Sequence, residues 1–204
     1  MSDTTHPPAV RPDLAELISF RPLARADLPV LLRWLNDPVV RTWWPREPPT
    51  PAGIEDKYGP RIDGIVPVRV FVYEFGGEPA GLTQCFRWAD RPQRKFPVAI
   101  PAAASIDFLL GEAGHRGKGV GSAGFAAFVK HVLGMYPEID FLVGYPHKDN
   151  HAFHRVLENA GYRRLAETAP DLGLPRPPAG DSNIVYIRPR AGWREPRPDR
   201  LSPA

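Results

Sequence analysis

Residues 114–122, Gly114-His115-Arg116-Gly117-Lys118-Gly119-Val120-Gly121-Ser122, combine four glycines with two fixed cations. They stand between an apolar run, Ala104-Ser105-Ile106-Asp107-Phe108-Leu109-Leu110, and a segment in which Phe125, Phe128, Val129, Val132 and Leu133 recur at helical spacing. A glycine-rich turn entering a helix exposes backbone N–H groups at the positive end of the helix dipole. Phosphate oxygens bind there, and Arg116 and Lys118 add formal charge. The chemistry this predicts is recognition of a phosphate-bearing ligand by residues His115, Arg116, Gly117, Lys118, Gly119, Val120, Gly121 and Ser122.

Spacing narrows the ligand. A nucleotide-triphosphate loop needs four residues between its first glycine and Gly-Lys, then Ser or Thr to hold magnesium. Gly111 to Gly117 is one residue too long, and Gly119 follows Lys118. Gly119-Val120-Gly121-Ser122-Ala123-Gly124 does match GxGxxG. It falls past mid-chain, however, after a run of strands rather than at the start of a βαβ series, the context a dinucleotide fold requires.

The elements that must position this turn are legible on both sides. A short strand is expected at Ile18–Arg21, then a helix over 26–36 with Leu28, Leu31, Leu32 and Leu35 on one stripe, Asp27 as cap and Pro29 in its first turn. Arg41–Pro45 reads as loop and Pro51–Ile62 as helix. Val68–Phe75 and Pro79–Trp88 predict a hairpin turning at Gly76-Gly77. After a proline-rich loop at 89–103 come a strand at 104–110, the glycine turn and its helix, and a strand at Ile139–Tyr145. A helix over 150–160 follows, with Gly161 at its C′ position. Strands near Tyr162–Ala166 and Asn183–Ile187 close the pattern. This order implies one α/β domain, a mixed sheet flanked by helices, over residues 18–188. Residues 1–17 and the Pro/Arg-rich 189–204 read as flexible extensions.

Composition bounds the function. The 204 residues suit a single domain, and 26 of them are proline. The net charge is +3, but the basic residues are dispersed and not interleaved with aromatics, which argues against a nucleic-acid partner. The lone Cys85 excludes an internal disulfide or cysteine-based zinc cluster and reads as a small buried strand residue. The six histidines show no metal-ligand spacing, so no metal is expected. No apolar run approaches the roughly 18 residues of a membrane span, and the N-terminus lacks a signal-peptide core. A cytoplasmic protein, monomeric or homodimeric, is expected, with no membrane partner.

The run Arg116-Gly117-Lys118-Gly119-Val120-Gly121 resembles the R/Q-x-x-G-x-G/A motif of the GNAT N-acetyltransferase superfamily. Asn150 and Glu158-Asn159-Ala160-Gly161-Tyr162 are similar to its second acyl-CoA segment. From about Ile18 to Arg188 the chain resembles the aminoglycoside 6′-N-acetyltransferases. The shared residues are Trp34-Leu35-Asn36, Trp43-Trp44, Tyr58, Gly77-Glu78-Pro79, Gln84, Ile106-Asp107, Gly117-Lys118-Gly119, Asp181 and Val185-Tyr186. Siderophore-biosynthetic acyltransferases of the same superfamily share the Trp-Leu-Asn start and the same organisation.

The resemblance implies acetyl-CoA as donor and a small-molecule amine as acceptor, an aminoglycoside first and a hydroxylysine-type siderophore amine second. A non-catalytic acyl-CoA-binding module is the alternative from another class. Aminolysis of a thioester needs an uncharged amine and a route for its proton. Asp107, a carboxylate within an apolar strand just before the phosphate turn, suits both tasks. The superfamily's splayed strand implies main-chain contacts from Phe108, Leu109 and Leu110 to the donor, with Asn150 beside them. Trp43, Trp44, Tyr58, Gln84, Tyr145 and Asp181 are the expected acceptor contacts. Four features depart from the family. Leu157 stands where many members have a tyrosine acid. Tyr145 and Val66 occupy positions that tend to be acidic, Arg91-Pro92-Gln93-Arg94-Lys95 is basic where relatives are acidic, and the termini are rich in proline. A basic loop would repel a polycationic acceptor.

Overall fold

A computed structural model of the chain describes residues 12–44, 48–93, 96, 98–168 and 182–192. Seven strands form one sheet in the order β1-β2-β3-β4-β5-β7-β6: β1 (Ile18–Pro22), β2 (Arg69–Phe75), β3 (Glu78–Arg87), β4 (Ala103–Leu110), β5 (Phe141–Gly144), β6 (Arg163–Arg164) and β7 (Tyr186–Pro189). All neighbours are antiparallel except β4 and β5. The expected hairpin is β2–β3. Gly76 and Gly77 turn it at φ 63° and 86°, a conformation that side-chain-bearing residues rarely adopt.

Alternation along β3 and β4 assigns each sheet face its helices. Leu82, Phe86 and Leu109 pack with Leu31 and Trp34 of α2 (Leu28–Asn36) and with Ile54 and Tyr58 of α4 (Pro51–Ile62). On the opposite face Cys85 and Ile106 pack with Phe125, Phe128 and Val132 of α5 (Val120–Met135) and Leu157 of α6 (His151–Asn159). Gly124 lets α5 settle on the sheet, since a Cβ there would lie 3.2 Å from the Phe108 ring. Cys85 is wholly buried, and burial pushes its thiol up to about 12, so it is a core residue.

Several elements differ from expectation. The single turn α1 (Pro12–Ala15) stands in the supposed N-terminal extension, and Gly76 N–H donates to Leu17 O at 2.8 Å, tying that segment to the hairpin. Another short helix, α3 (Pro38–Arg41), precedes Trp43, where Asp37 caps it by accepting from the Val39 and Val40 amides. The expected strand at 162–166 is only two residues long and turns into α7 (Leu165–Thr168), which buries Leu165. Past Arg188, Arg190 donates to the carbonyls of Ile139, Leu133 and Tyr136, closing the C-terminal end of α5. The packed chain therefore runs beyond the expected boundary.

Candidate active site

β4 and β5 pair only through Ala103–Phe141, Ala104–Leu142 and Ser105–Val143, after which they part. From Ile106 onward, β4 has lost its neighbour on that side, and alternate peptide groups face the gap. The wedge opens into a cleft of about 880 Å³. Ser105–Leu110 line one side of the wedge and Val143–His147 the other, and the first turn of α5, Trp43 and Trp44 complete the lining.

The glycine turn is built for close approach. Gly117 and Gly119 hold φ of 72° and 84°, and Gly119 is the N-cap of α5. The amides of Val120, Gly121 and Ser122 have no partner inside the helix, because the first intrahelical bond runs from Ala123 N to Gly119 O. Gly111 starts the turn and must be glycine, since a Cβ would lie 2.3 Å from the Trp34 ring. Glu112 then anchors it, accepting from Trp34 Nε1 at 2.7 Å and from Arg33.

The two cations of the turn have different surroundings. Lys118 is exposed. Arg116 is ion-paired to Asp37 at 3.1 Å and only a quarter exposed. Burial pushes the Asp37 carboxyl up, but the Arg116 bond and the Val40 and Val39 amides outweigh it and hold it below the usual range. Asp37 thus joins α3 to the glycine turn. Sequence reading missed this contact; the Asp37-Pro38 pair signals a cap, but an ion pair spanning the sheet leaves no local trace.

Asp107 lines the cleft, directly opposite Gln84 on β3. Gln84 is 6% exposed, and both ends of its amide are taken: Nε2 donates to Asp107 Oδ2 at 2.6 Å, while Oε1 accepts from Arg61 Nη1. The Arg61 guanidinium lies 5.2 Å from the Tyr58 ring centroid. Tyr58 itself is wholly buried and is not among the residues lining the cleft; burial raises its phenol. Lys57 is exposed as a residue, yet crowding of its ammonium and the Arg61 charge pull it below the ordinary lysine value, with Asp107 opposing.

The other expected residues separate. Trp43 is 43% exposed and its ring stands 6.0 Å from that of His147, across the mouth of the cleft; Trp44 is half-buried against the core. Tyr145 lines the cleft. Asn150 does too, and its Oδ1 caps α6 by accepting from Phe153 N at 3.2 Å, leaving the –NH₂ as its donor end. Leu157 is buried in contact range of Gly144, so no acid stands there. Asp181, Arg94 and Lys95 lie outside the described residues. Among the described residues no group of His, Cys, Asp and Glu is arranged to hold a metal, and no helix is long and apolar enough to cross a membrane.

The model of the acetyltransferase (GNAT) domain matches residues 24–169. The chain belongs to this family. It is thus an N-acetyltransferase of the GNAT type. Aminoglycoside N(6′)-acetyltransferases type 1 from Klebsiella pneumoniae and Serratia marcescens are each 28% identical over 165 residues, covering 76% of this chain and 78% of theirs. Among solved structures, aminoglycoside acetyltransferase AAC(6′)-Ib with coenzyme A and kanamycin is 25% identical with a TM-score of 0.67, over 85% of this chain and 95% of that one. A ribosomal L7/L12 alpha-N-protein acetyltransferase, 18% identical with a TM-score of 0.62 over 85% of this chain and 91% of that one, shares the fold.

Proposed function

We propose that the chain moves the acetyl group of acetyl-CoA onto a primary amine of a small molecule by direct attack, and that the acceptor is an aminoglycoside acetylated at its 6′-amine. The observation that carries this reading is Asp107, the one carboxylate among the described residues lining a cleft that also holds the free N-terminus of α5 and the unpaired edge of β4.

The residues fit the donor. The amides of Val120, Gly121 and Ser122, with His115 and Lys118 beside them, suit a pyrophosphate. Main-chain groups of Phe108, Leu109 and Leu110, and the Asn150 –NH₂, suit the pantetheine arm and the carbonyl to be polarised. Acetyl-CoA supplies an acetyl thioester whose thiol has a pKa close to that of cysteine, about 8.5, so its thiolate leaves without a protein acid at Leu157. Asp107 anchors the acceptor ammonium and takes its proton, directly or through one water, as the C–N bond forms and the C–S bond breaks. Trp43 offers a flat face for a sugar at the mouth.

The aminoglycoside acceptor is supported by the 28% identical relatives. A hydroxylysine-type acceptor is favoured by one observation, the exposed Lys57 beside Asp107, whose ammonium suits a carboxylate near the reacting amine. The test is thiol release from acetyl-CoA with kanamycin, N6-hydroxylysine and a glycyl peptide. Kanamycin is expected to give the highest kcat/KM, and Asp107→Asn to lower kcat by about 10²-fold or more. A preference for N6-hydroxylysine selects the second acceptor. Tight acetyl-CoA binding with no transfer to any of the three would mark a non-catalytic binding module.

A further inference from the structure

The chain Arg61–Gln84–Asp107 has a direction that chemistry dictates. A guanidinium can only donate, so the Gln84 carbonyl oxygen must face Arg61 and its –NH₂ must face the Asp107 carboxylate. Gln84 lies opposite Asp107 in the β3–β4 register and is buried, so its amide has no second rotamer to adopt without leaving a polar group unpaired. Arg61 comes from the last turn of α4, where its guanidinium rests over the buried Tyr58 ring. A fixed charge at one end polarises the amide and strengthens its bond to the carboxylate at the other. Oδ2 of Asp107 is thereby committed to Gln84, and Oδ1 is the oxygen left for an acceptor ammonium.

We infer that Arg61, acting through Gln84, is a positioning residue for Asp107: it holds the carboxylate in the orientation that receives the acceptor amine, without touching substrate itself. The inference rests on the reading that Asp107 handles that amine. It also assigns Gln84 a role other than acceptor contact, since Gln84 is buried behind Asp107 and is not among the residues lining the cleft.

The experiment uses the full chain, acetyl-CoA and whichever of kanamycin, N6-hydroxylysine or a glycyl peptide gives the highest kcat/KM. Arg61→Ala is expected to lower kcat by about 10-fold, less than loss of the Asp107 carboxylate itself, while the acetyl-CoA KM stays within twofold. Millimolar guanidinium should restore part of that loss, and urea at equal concentration none, a response a purely structural role would not give. Should Arg61→Ala lower the melting temperature, Gln84→Met breaks the same chain while leaving Arg61 on Tyr58, and the same fall in kcat is expected. In the double variant Arg61→Ala/Asp107→Asn the two losses should not multiply. Arg61→Ala or Gln84→Met retaining kcat within twofold while Asp107→Asn loses activity would overturn the positioning role alone. Undiminished transfer by Asp107→Asn would instead overturn the role of Asp107.

Discussion

At the scale of single residues, Arg116 and Lys118 look alike in sequence, two residues apart on a glycine turn that predicts anion binding. Their surroundings separate them. Lys118 is exposed, whereas the Arg116 guanidinium is engaged by Asp37 and reaches Gly111 O. Removing Lys118 takes away a charge and little else; removing Arg116 leaves a quarter-exposed Asp37 carboxylate without its cation. Lys118→Ala is therefore expected to raise the acetyl-CoA KM several-fold with an unchanged melting temperature and acceptor KM. Arg116→Ala should raise the acetyl-CoA KM and also cost about 1 kcal/mol of stability. Steady-state kinetics with thermal melts on both variants checks this, and equal melting temperatures would remove the structural part of the Arg116 role.

At the scale of elements, the turn before α5 stores its function in backbone shape. Gly119 caps the helix at φ 84°, a conformation that costs a side-chain-bearing residue about 1–2 kcal/mol, and an added Cβ would sit 3.3 Å from Leu14 of α1. Gly119→Ala should lose roughly that stability and weaken acetyl-CoA binding, while Gly114→Ala, whose Cβ meets nothing within 4 Å, should do neither. Binding of acetyl-CoA by titration calorimetry distinguishes them. This turn, α5, the β2–β3 hairpin and α4 were legible because each has a strong local period or punctuation: Gly76-Gly77, Pro51, the Phe125–Leu133 stripe. What stayed hidden is short or non-local. α3 spans four residues that include the β-branched pair Val39-Val40, and its formation depends on the Asp37 cap. The expected strand at 162–166 gives way to α7 after two residues. Leu165 N–H there donates to Val185 O while its side chain enters the core. For the site, Asp107 could be found as an acid in an apolar strand. Arg61 could not, because its link to Asp107 passes through a residue on a third element.

At the scale of the molecule, the sheet divides the protein into a half carried by α2, α3 and α4 and a half carried by α5 and α6. Asp37 reaches from the first half to the glycine turn of the second, beside the bonds that Arg33 and Trp34 of α2 make to Glu112. One carboxylate thus does two things, capping α3 near Trp43 and holding Arg116, and two substitutions separate them. Asparagine caps a helix about as well as aspartate but carries no charge to form an ion pair with a guanidinium; alanine neither caps nor pairs. Asp37→Asn should cost under about 1 kcal/mol and raise mainly the acetyl-CoA KM. Asp37→Ala should cost about 1–2 kcal/mol and raise both KM values, since α3 leads into Trp43 and Trp44. The pH dependence follows from the depressed Asp37 carboxyl. A group titrating lower in the folded state than in the unfolded one stabilises fully above its unfolded value, about 3.9, and loses that contribution as pH falls through the folded value. The melting-temperature gap between the wild-type chain and Asp37→Asn should therefore be constant from about pH 5 to pH 8 and close as the solution is acidified below about pH 4. A gap that persists unchanged at pH 3 would mean that the stabilisation comes from packing around Asp37 rather than from its charge.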